Sequence, residues 1–217
     1  MPGADDPLET VWLDRAKRLL ALAQTGQHFT RDPYDSERYE EIAGLARAML
    51  ADLGRVPLNR ITDLMPPHAA GYASPGIDVR AAVIRPDEGI LLVREKTDDK
   101  WALPGGFADI GFSPAENVEK EVLEETGLSV EARHLYALRH KARHPYPADV
   151  RDFYKLFFLC RETGPAKQAP CAGYETSEAR FFAPTELPEL SLGRVLPQDI
   201  RAALDAYGAD MPRTLFD

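Results

Sequence analysis

Apolar side chains recur every three or four residues through the first part of the chain, which is the period of an amphipathic helix. The first such series stops at Gly26, which predicts the end of a helix there, and a polar segment with a proline follows at 28–35. The second series begins after Ser36 and ends near Gly54, and 57–65 is a candidate third helix. The sequence therefore predicts a small all-helical module at the N-terminal end.

The pattern changes after a cluster of prolines and glycines between Pro66 and Gly76. We place a domain boundary there, with an N-terminal helical domain at 1–70 and a second domain at 71–217. Beyond it the apolar residues stand in short runs, which are typical of strands. Predicted strands are 79–85, 89–96, 130–141, 153–161 and 179–183, a further apolar run is 101–107, and a last helix is 197–207. The second domain is therefore expected to have an α+β sandwich fold.

Composition and charge argue against several classes of protein. The chain has 217 residues and a formal net charge of -9, and an acidic chain repels a phosphate backbone, which argues against general binding of nucleic acid. It has no apolar stretch of the about 18 to 20 residues that a membrane span requires, and its acidic N-terminus does not resemble a secretion signal. Cys160 and Cys171 are too few for a disulfide scaffold, and we expect reduced thiols in a cytoplasmic protein.

The most informative segment is a glycine-rich loop that leads into a helix. Ser113 is a good N-cap residue, Pro114 suits the first helical position, and Glu116 completes a capping box. Gly127 is suited to end the helix, because glycine adopts the left-handed conformation without strain. These signals predict a helix of about three to four turns after the loop that contains Gly106.

Glu121, Glu124 and Glu125 are spaced so that their carboxylates lie on one side of this helix. Like charges at this spacing repel each other unless a cation compensates them, and clustered anionic oxygens suit a hard divalent cation such as Mg²⁺ or Mn²⁺. The competing interpretation is a solvated acidic face, which three carboxylates alone would favour. The glycine loop and the two helix ends favour the metal site.

This segment resembles the Nudix box, whose pattern is G-x5-E-x7-R-E-U-x-E-E-x-G-U with U a bulky aliphatic residue. The matching positions are Gly106, Glu121, Val122, Glu124, Glu125, Gly127 and Leu128, and Trp101-Ala-Leu-Pro-Gly-Gly is similar to the usual entry to the box. Phe112 stands in place of the first Glu, and Lys120 stands in place of the Arg. In the family those two groups form an ion pair that braces the loop. We therefore expect the brace to be lost here, with Lys120 keeping only part of the charge role.

The resemblance implies a fold and a reaction. The fold would be the Nudix α/β/α sandwich with a mixed sheet, preceded by a small all-α domain, as in the subgroup that includes CDP-choline and ADP-ribose pyrophosphatases. The reaction would be the divalent-metal-dependent hydrolysis of the diphosphate linkage of a nucleoside diphosphate derivative, ADP-ribose-like or CDP-choline-like. Its products would be a nucleoside monophosphate and a phosphorylated moiety.

The resemblance also implies roles for particular residues. The metal ligands, for Mg²⁺ or Mn²⁺, would be Glu121, Glu124 and Glu125 together with the backbone carbonyl of Gly105. The general base is left open, because Glu124 or Glu125 would serve as base as well as ligand. Many diphosphate-cleaving relatives place a further glutamate in a loop beyond the box, which here would be Glu175 or Glu178, and either of these is also a candidate for the general base.

Residues outside the box supply candidate contacts for the substrate. Arg139 and His144 belong to a local basic run, and with Lys155 they are expected to meet substrate phosphate or ribose. Tyr146, Phe153 and Tyr154 are candidates for stacking on a base, although most aromatic side chains in strands belong to the core.

Two other functions and one partner remain as hypotheses. An RNA-end processing enzyme and a non-catalytic nucleotide-sensing protein would both suit a Nudix fold, and the intact glutamate trio favours catalysis over sensing. The small-molecule substrate is the expected partner, with no membrane partner. A homodimer is also expected, because two amphipathic helices alone bury their apolar faces poorly.

Overall fold

The structure, a computed structural model, describes residues 7–55, 57–59, 61 and 73–217, with side chains from residue 11 onward. It divides into two compact units. Met1–Pro75 and Ala148–Asp152 belong to the first unit, and Gly76–Pro147 and Phe153–Asp217 belong to the second. The boundary predicted at 70/71 and most of the candidate helix at 57–65 lie outside the described residues.

The described part of the first unit contains two long helices, α1 at Pro7–Phe29 and α2 at Pro33–Gly54. The α2 helix begins earlier than the sequence predicts, because the Asp32 carboxylate accepts hydrogen bonds from two N–H groups of the first turn. It ends at Gly54 as predicted, and Arg55 adopts the left-handed conformation (φ 51°) that closes the helix. No helix in the described part of the chain is long and apolar enough to cross a membrane.

Gly26 does not end α1, which corrects the prediction made from the sequence. A Cβ atom at this position would lie 2.4 Å from the ring of Tyr39 on α2. The glycine is therefore explained by the close approach of the two helices and not by helix termination. The core between them is built from alanine, leucine and isoleucine side chains: Leu13, Ala16, Leu20, Ala23, Ala43, Ala46, Leu50, Ala51 and Ile61.

The second unit is built on a mixed sheet. Its strands are β1 (Gly76–Arg85), β2 (Gly89–Glu95), β3 (Trp101–Ala102), β4 (Val130–His140), β5 (Phe153–Glu162), β6 (Thr176–Phe182) and β7 (Leu215–Phe216). Among the described residues the order is β3-β2-β1-β5-β4-β7, with β6 also paired to β2. The pairs β1–β5 and β4–β7 are parallel, and the remaining pairs are antiparallel. The short β7 strand has no counterpart among the predicted elements.

Two helices cover the two faces of this sheet. The helix α3 (Pro114–Thr126) packs Val118 and Val122 against one face, and α4 (Pro197–Tyr207) packs Ile200 and Ala203 against the other. Because successive strand residues point to opposite faces, the long strands β1, β2, β4 and β5 contribute side chains to both cores. The arrangement confirms the predicted α+β fold, an α/β/α sandwich with a mixed sheet and a helical unit before it in the chain.

The apolar run at 101–107 forms a strand only at Trp101–Ala102. From Pro104 onward this segment runs along β1, where the N–H groups of Val79 and Ala81 donate to the carbonyls of Gly106 and Pro104, each at 2.8 Å. The segment thus pairs first with β2 and then with β1. This change of partner brings the glycine-rich loop to α3, the acidic helix that carries Glu121, Glu124 and Glu125.

Candidate active site

The helix that carries the glutamates forms as its end signals predict. The Ser113 hydroxyl accepts a hydrogen bond from the Glu116 N–H at 3.2 Å, and the Glu116 carboxylate accepts one from the Ser113 N–H at 2.7 Å. Pro114 occupies the first turn, and Gly127 (φ 67°) ends the helix in the left-handed conformation. The positions of the carboxylates on α3 are therefore fixed from both ends.

Gly105 links the glycine loop to α3. Its N–H donates to the Glu125 carboxylate at 2.9 Å, and a Cβ atom at this residue (φ 141°) would lie 2.0 Å from the Val79 carbonyl oxygen. The carbonyls on either side, at Pro104 and Gly106, already accept hydrogen bonds from β1. Of these three carbonyls, the Gly105 carbonyl takes no part in the pairing with β1. It is therefore the one that remains for another ligand.

Glu121, Glu124 and Glu125, which we call the acidic site, differ in their surroundings. Glu125 is only 6% exposed, and burial raises its pKa to about 8 even though the charge of Arg80 and the Gly105 N–H act in the opposite direction. Burial also raises the pKa of Glu121, whose carboxylate would lie 2.9 Å from a Cβ atom at Gly106. Glycine at position 106 therefore leaves the room that the Glu121 carboxylate occupies.

Glu124 is exposed and takes part in a three-residue ion bridge. The Lys120 ammonium lies 3.0 Å from the Glu124 carboxylate and 3.1 Å from the Asp109 carboxylate, so it ties the glycine loop to α3. This corrects the expectation that the brace is lost, because Asp109 supplies the loop carboxylate that Phe112 cannot. Phe112 itself is half exposed.

The buried side-chain amide of Asn117 also holds the glycine-rich loop. The Asn117 side chain accepts a hydrogen bond from the Asp109 N–H at 2.8 Å and donates to the carbonyls of Asp109, Phe112 and Ser113 at 3.2 to 3.3 Å. The loop is thus fixed both by the amide of Asn117 and by the charge of Lys120.

Asp78, Arg80 and Lys155, which we call the buried ion cluster, lie behind the acidic site. The Asp78 carboxylate accepts two hydrogen bonds from Arg80, at 3.0 and 2.8 Å, and one from the Lys155 ammonium at 2.7 Å. Although burial alone would raise it, the pKa of Asp78 is lowered by these two cations. The cluster contains two cations and one anion, and the charge of Arg80 also acts on Glu125 and Glu95.

The predicted substrate contacts all have partners within the protein, and two of the three, Lys155 and Arg139, are buried. Lys155 is fully buried and bound to Asp78. Arg139 is buried and lies 3.4 Å from Asp199, and the His144 ring lies 2.6 Å from Asp217. All three cationic or polar side chains therefore already have an acidic partner within the protein.

The two glutamates beyond the box have different neighbours. Burial is the main cause of the raised pKa values of Glu121 and Glu95, and the negative charge of Glu175 adds to it. Glu175 stands two residues after Gly173, whose N–H donates to the backbone carbonyl of Glu125 at 3.1 Å. Glu178 instead lies 3.9 Å from Arg94 and 3.6 Å from Arg180. Glu175 is therefore brought to the site, and Glu178 is held by basic residues along β2 and β6.

The sequence reasoning assigned no role to Glu95. This residue is buried at the end of β2, its carboxylate lies 3.0 Å from Arg194, and burial raises its pKa. A signal was present for the buried ion cluster, because Asp78 and Arg80 stand at alternate positions in a strand that is otherwise uncharged up to its last residue, Arg85. Charged side chains at such positions need partners inside the protein.

The donors of the acidic site fit a hard divalent cation, but their side chains are turned to other partners. Within the described residues, no three His, Cys, Asp or Glu side chains stand together in a metal-holding arrangement. The Glu124 carboxylate accepts a hydrogen bond from the Lys120 ammonium, and the Glu125 carboxylate accepts one from the Gly105 N–H. Burial raises the pKa values of Glu121 and Glu125 by more than the nearby cations lower them, and Glu124 is exposed.

Comparison with known protein families gives two matches. The family model described as "NUDIX domain" matches residues 75–202, and the model described as "UDP-X-like, N-terminal oligomerisation domain" matches residues 10–65. The chain is 42% identical over 210 residues to the Bacillus subtilis (strain 168) protein named "Putative ADP-ribose pyrophosphatase YjhB", with 97% of this chain and 99% of that protein covered.

Two solved structures are similar to the whole chain or to most of it. A UDP-X diphosphatase is 32% identical with a TM-score of 0.59, and the match covers 96% of this chain and 98% of that one. An ADP-ribose pyrophosphatase from Streptococcus suis 89-1591 is 38% identical with a TM-score of 0.59, and the match covers 66% of this chain and 100% of that one.

Proposed function

The chain belongs to the Nudix family as a pyrophosphatase of that family, and we propose that it hydrolyses the diphosphate linkage of a nucleoside diphosphate derivative with Mg²⁺ or Mn²⁺. The products are a nucleoside monophosphate and a phosphorylated moiety. The names of the relatives that match most of the chain support ADP-ribose-like and UDP-linked substrates, and CDP-choline is a further member of the same chemical class.

The observation that carries the proposal is the acidic site beside Gly105. Glu121, Glu124 and Glu125 would hold the cation with the Gly105 carbonyl, since these are the oxygen donors that Mg²⁺ and Mn²⁺ prefer. When bound, the cation supplies positive charge that polarises the diphosphate and lowers the pKa of an attacking water. Glu125 and Glu121 then remain ionised, because their carboxylates have gained the opposite charge that burial makes necessary.

Glu175 is the carboxylate best placed to act as general base. It is exposed, its charge acts on Glu121, and it makes no ion pair with a cation among the described residues. A carboxylate in that position accepts a proton from water as the water attacks phosphorus. Glu178 is less suited, because Arg94 and Arg180 occupy its carboxylate.

A substrate screen tests the reaction. ADP-ribose, CDP-choline, a UDP-linked sugar and a 5′-triphosphorylated RNA oligonucleotide are incubated with Mg²⁺, with Mn²⁺ or with a chelator, and the products are identified by ³¹P NMR. We expect metal-dependent release of a nucleoside monophosphate from at least one nucleotide derivative. Turnover of the RNA alone, with a steep loss of rate as salt increases, would replace the proposal with RNA-end processing.

The same screen, repeated on two variants, tests the general base. Glu175→Gln is expected to lower kcat by roughly a hundredfold or more, the usual contribution of a positioned base, with little change in KM. Glu178→Gln is the matched comparison and is expected to stay near the wild-type rate. The reverse order of the two effects would assign the base to Glu178.

We also propose that the helical unit joins two copies of the chain into a homodimer. Its α1 and α2 helices bury one apolar face between them, yet a second set of large apolar side chains remains exposed: Trp12, Leu19, Leu22, Ile42 and Leu45. Leu22 and Leu45 are 67% and 62% exposed. Apolar surface of this extent is typical of an interface.

Light scattering tests the homodimer. The wild-type protein is expected to have the mass of a dimer, and the double variant Leu22→Glu with Leu45→Glu is expected to have the mass of a monomer. A wild-type monomer at every concentration would contradict the proposal.

A further inference from the structure

The segment before β6 is fastened to the C-terminal end of the acidic helix. The Cys171 N–H donates to the Thr126 carbonyl at 2.9 Å, and the Gly173 N–H donates to the Glu125 carbonyl at 3.1 Å. Gly173 approaches so closely that a Cβ atom there would lie 1.9 Å from the Glu124 carbonyl oxygen. The residue that follows Gly173 therefore has a fixed backbone position next to the backbone of Glu124 and Glu125, two residues of the acidic site.

That residue is Tyr174, whose side chain is 92% exposed. Lys96 holds it in place, because the Lys96 ammonium donates to the Tyr174 carbonyl and lies 5.7 Å from the centre of the ring. The Lys96 N–H also donates to the carbonyl of Glu175, at 3.4 Å. An aromatic ring is thus presented to solvent between a lysine and the glutamate that we propose as general base.

The aromatic residues named from the sequence are less suited to contact a base. Tyr146 is buried and donates its hydroxyl hydrogen bond to Asp199. Phe153 is buried, and the ring of Tyr154 packs edge-on against His140. Tyr174 differs from these residues because its ring has both high exposure and a rigid backbone beside the acidic site.

We propose that Tyr174 is the stacking surface for the nucleobase of the substrate and contributes to its selection over a diphosphate without a base. This inference rests on the proposed function, because it assumes that the diphosphate lies at the acidic site. A tyrosine side chain has only two rotatable torsions, so it offers a flat apolar face at a small entropic cost. Stacking of a base on such a ring accepts any nucleobase, since every base has a π face.

The test compares Tyr174→Ala, Tyr174→Phe and Tyr207→Ala, the last being a half-exposed tyrosine at the end of α4 on the opposite face of the sheet. Steady-state kinetics with the best nucleotide substrate are measured beside the equilibrium binding of AMP, UMP and ribose 5-phosphate in the presence of Mg²⁺. Tyr174→Ala is expected to raise KM and to weaken AMP and UMP binding by roughly tenfold, with kcat almost unchanged. Ribose 5-phosphate binding stays the same, and Tyr174→Phe and Tyr207→Ala behave like wild type.

The outcomes separate this inference from the proposed function. If wild-type protein cleaves no diphosphate but Tyr174→Ala still loses nucleotide affinity, the proposed function fails and the stacking surface stands. If turnover is normal and Tyr174→Ala keeps the wild-type KM and AMP affinity, the stacking surface is disproved. The same conclusion follows if wild-type protein binds neither AMP nor UMP, or if ribose 5-phosphate binding falls as much as AMP binding.

Discussion

The buried ion cluster and the acidic site contain charged side chains within one unit, but they balance charge in opposite ways. In the cluster every charge touches an opposite charge, since Asp78 accepts hydrogen bonds from both Arg80 and Lys155. The pKa of Asp78 is lowered as a result. In the acidic site burial raises the pKa values of Glu121 and Glu125, because the neighbouring cations do not offset it.

The difference indicates which of the two groups needs a ligand to balance its charge. Buried charges persist in a protein when they are paired and hydrogen-bonded, and every charge in the cluster has such a partner. The acidic site has an excess of carboxylates, and the exposed one among them, Glu124, is paired within the described residues with the Lys120 ammonium, which it shares with Asp109. A divalent cation would supply the missing charge, and changes in either group test the contrast.

The largest expected effect is the loss of catalysis in Glu125→Gln. The amide keeps the size of the side chain but removes the anionic ligand, so metal-dependent kcat/KM should fall by roughly a thousandfold, equivalent to several kcal/mol of metal-ion catalysis. Thermal unfolding of the metal-free variant should occur no earlier than in wild type, because burial already favours the neutral form. A variant that keeps more than about a tenth of the rate would contradict the assignment of Glu125.

The next effect concerns stability and the buried ion cluster. Asp78→Asn leaves the charges of Arg80 and Lys155 buried without an anion, and the free energy of unfolding should fall by about 3–5 kcal/mol. Urea denaturation measures the change. The control is Glu131→Gln, which removes an exposed carboxylate bound to two surface arginines and should cost far less stability than Asp78→Asn, because water screens surface ion pairs. Equal losses in the two variants would show that the cluster is not a buried, self-compensating group.

A smaller effect is the dependence of metal-free stability on pH. The pKa of Glu125 is raised from 4.5 to about 8 in the folded protein, so folding retains a proton that the unfolded chain releases. This contribution to stability is fully present below pH 4.5 and is lost as the pH rises through about 8. The melting temperature of chelator-treated protein should therefore decline across that interval by several degrees more than that of Glu125→Gln. Saturating Mg²⁺ should reduce the decline, and parallel curves for the two proteins would contradict this explanation.

The sequence predicted the acidic helix well because its signals are local. Ser113, Glu116 and Gly127 act on neighbouring backbone groups, so α3 begins and ends as predicted. Gly26 was misinterpreted for the converse reason, since its neighbour Tyr39 belongs to another helix and only the packed structure brings the two together. Long-range contacts also explain why β7 and the shift of the glycine loop to β1 were not foreseen.

Charge alone could not identify the partners of the basic residues. Lys155 was expected to meet substrate, but its place on β5 beside β1 brings its ammonium to Asp78. Tyr174 carried no pattern that distinguishes an exposed ring from a core ring, because its exposure follows from the anchoring of Gly173 on α3. Glu175 and Glu178 were equivalent in sequence, and only their three-dimensional neighbours separate them.

The smallest expected effect concerns the ion pair between Lys120 and Glu124 at the edge of the acidic site. Lys120→Met removes a cation that competes with metal for this carboxylate, so the half-saturating Mg²⁺ concentration should fall by roughly twofold to fivefold, as expected for a partly exposed ion pair. The loop also loses its bond to Asp109, which should lower the stability only slightly, because the ion pair is exposed to water. Lys120→Arg keeps the charge and should stay close to wild type in a Mg²⁺ titration of the rate. A higher Mg²⁺ requirement in Lys120→Met would instead mean that Lys120 positions Glu124 for the metal, and the bridge would then be part of the site and not its competitor.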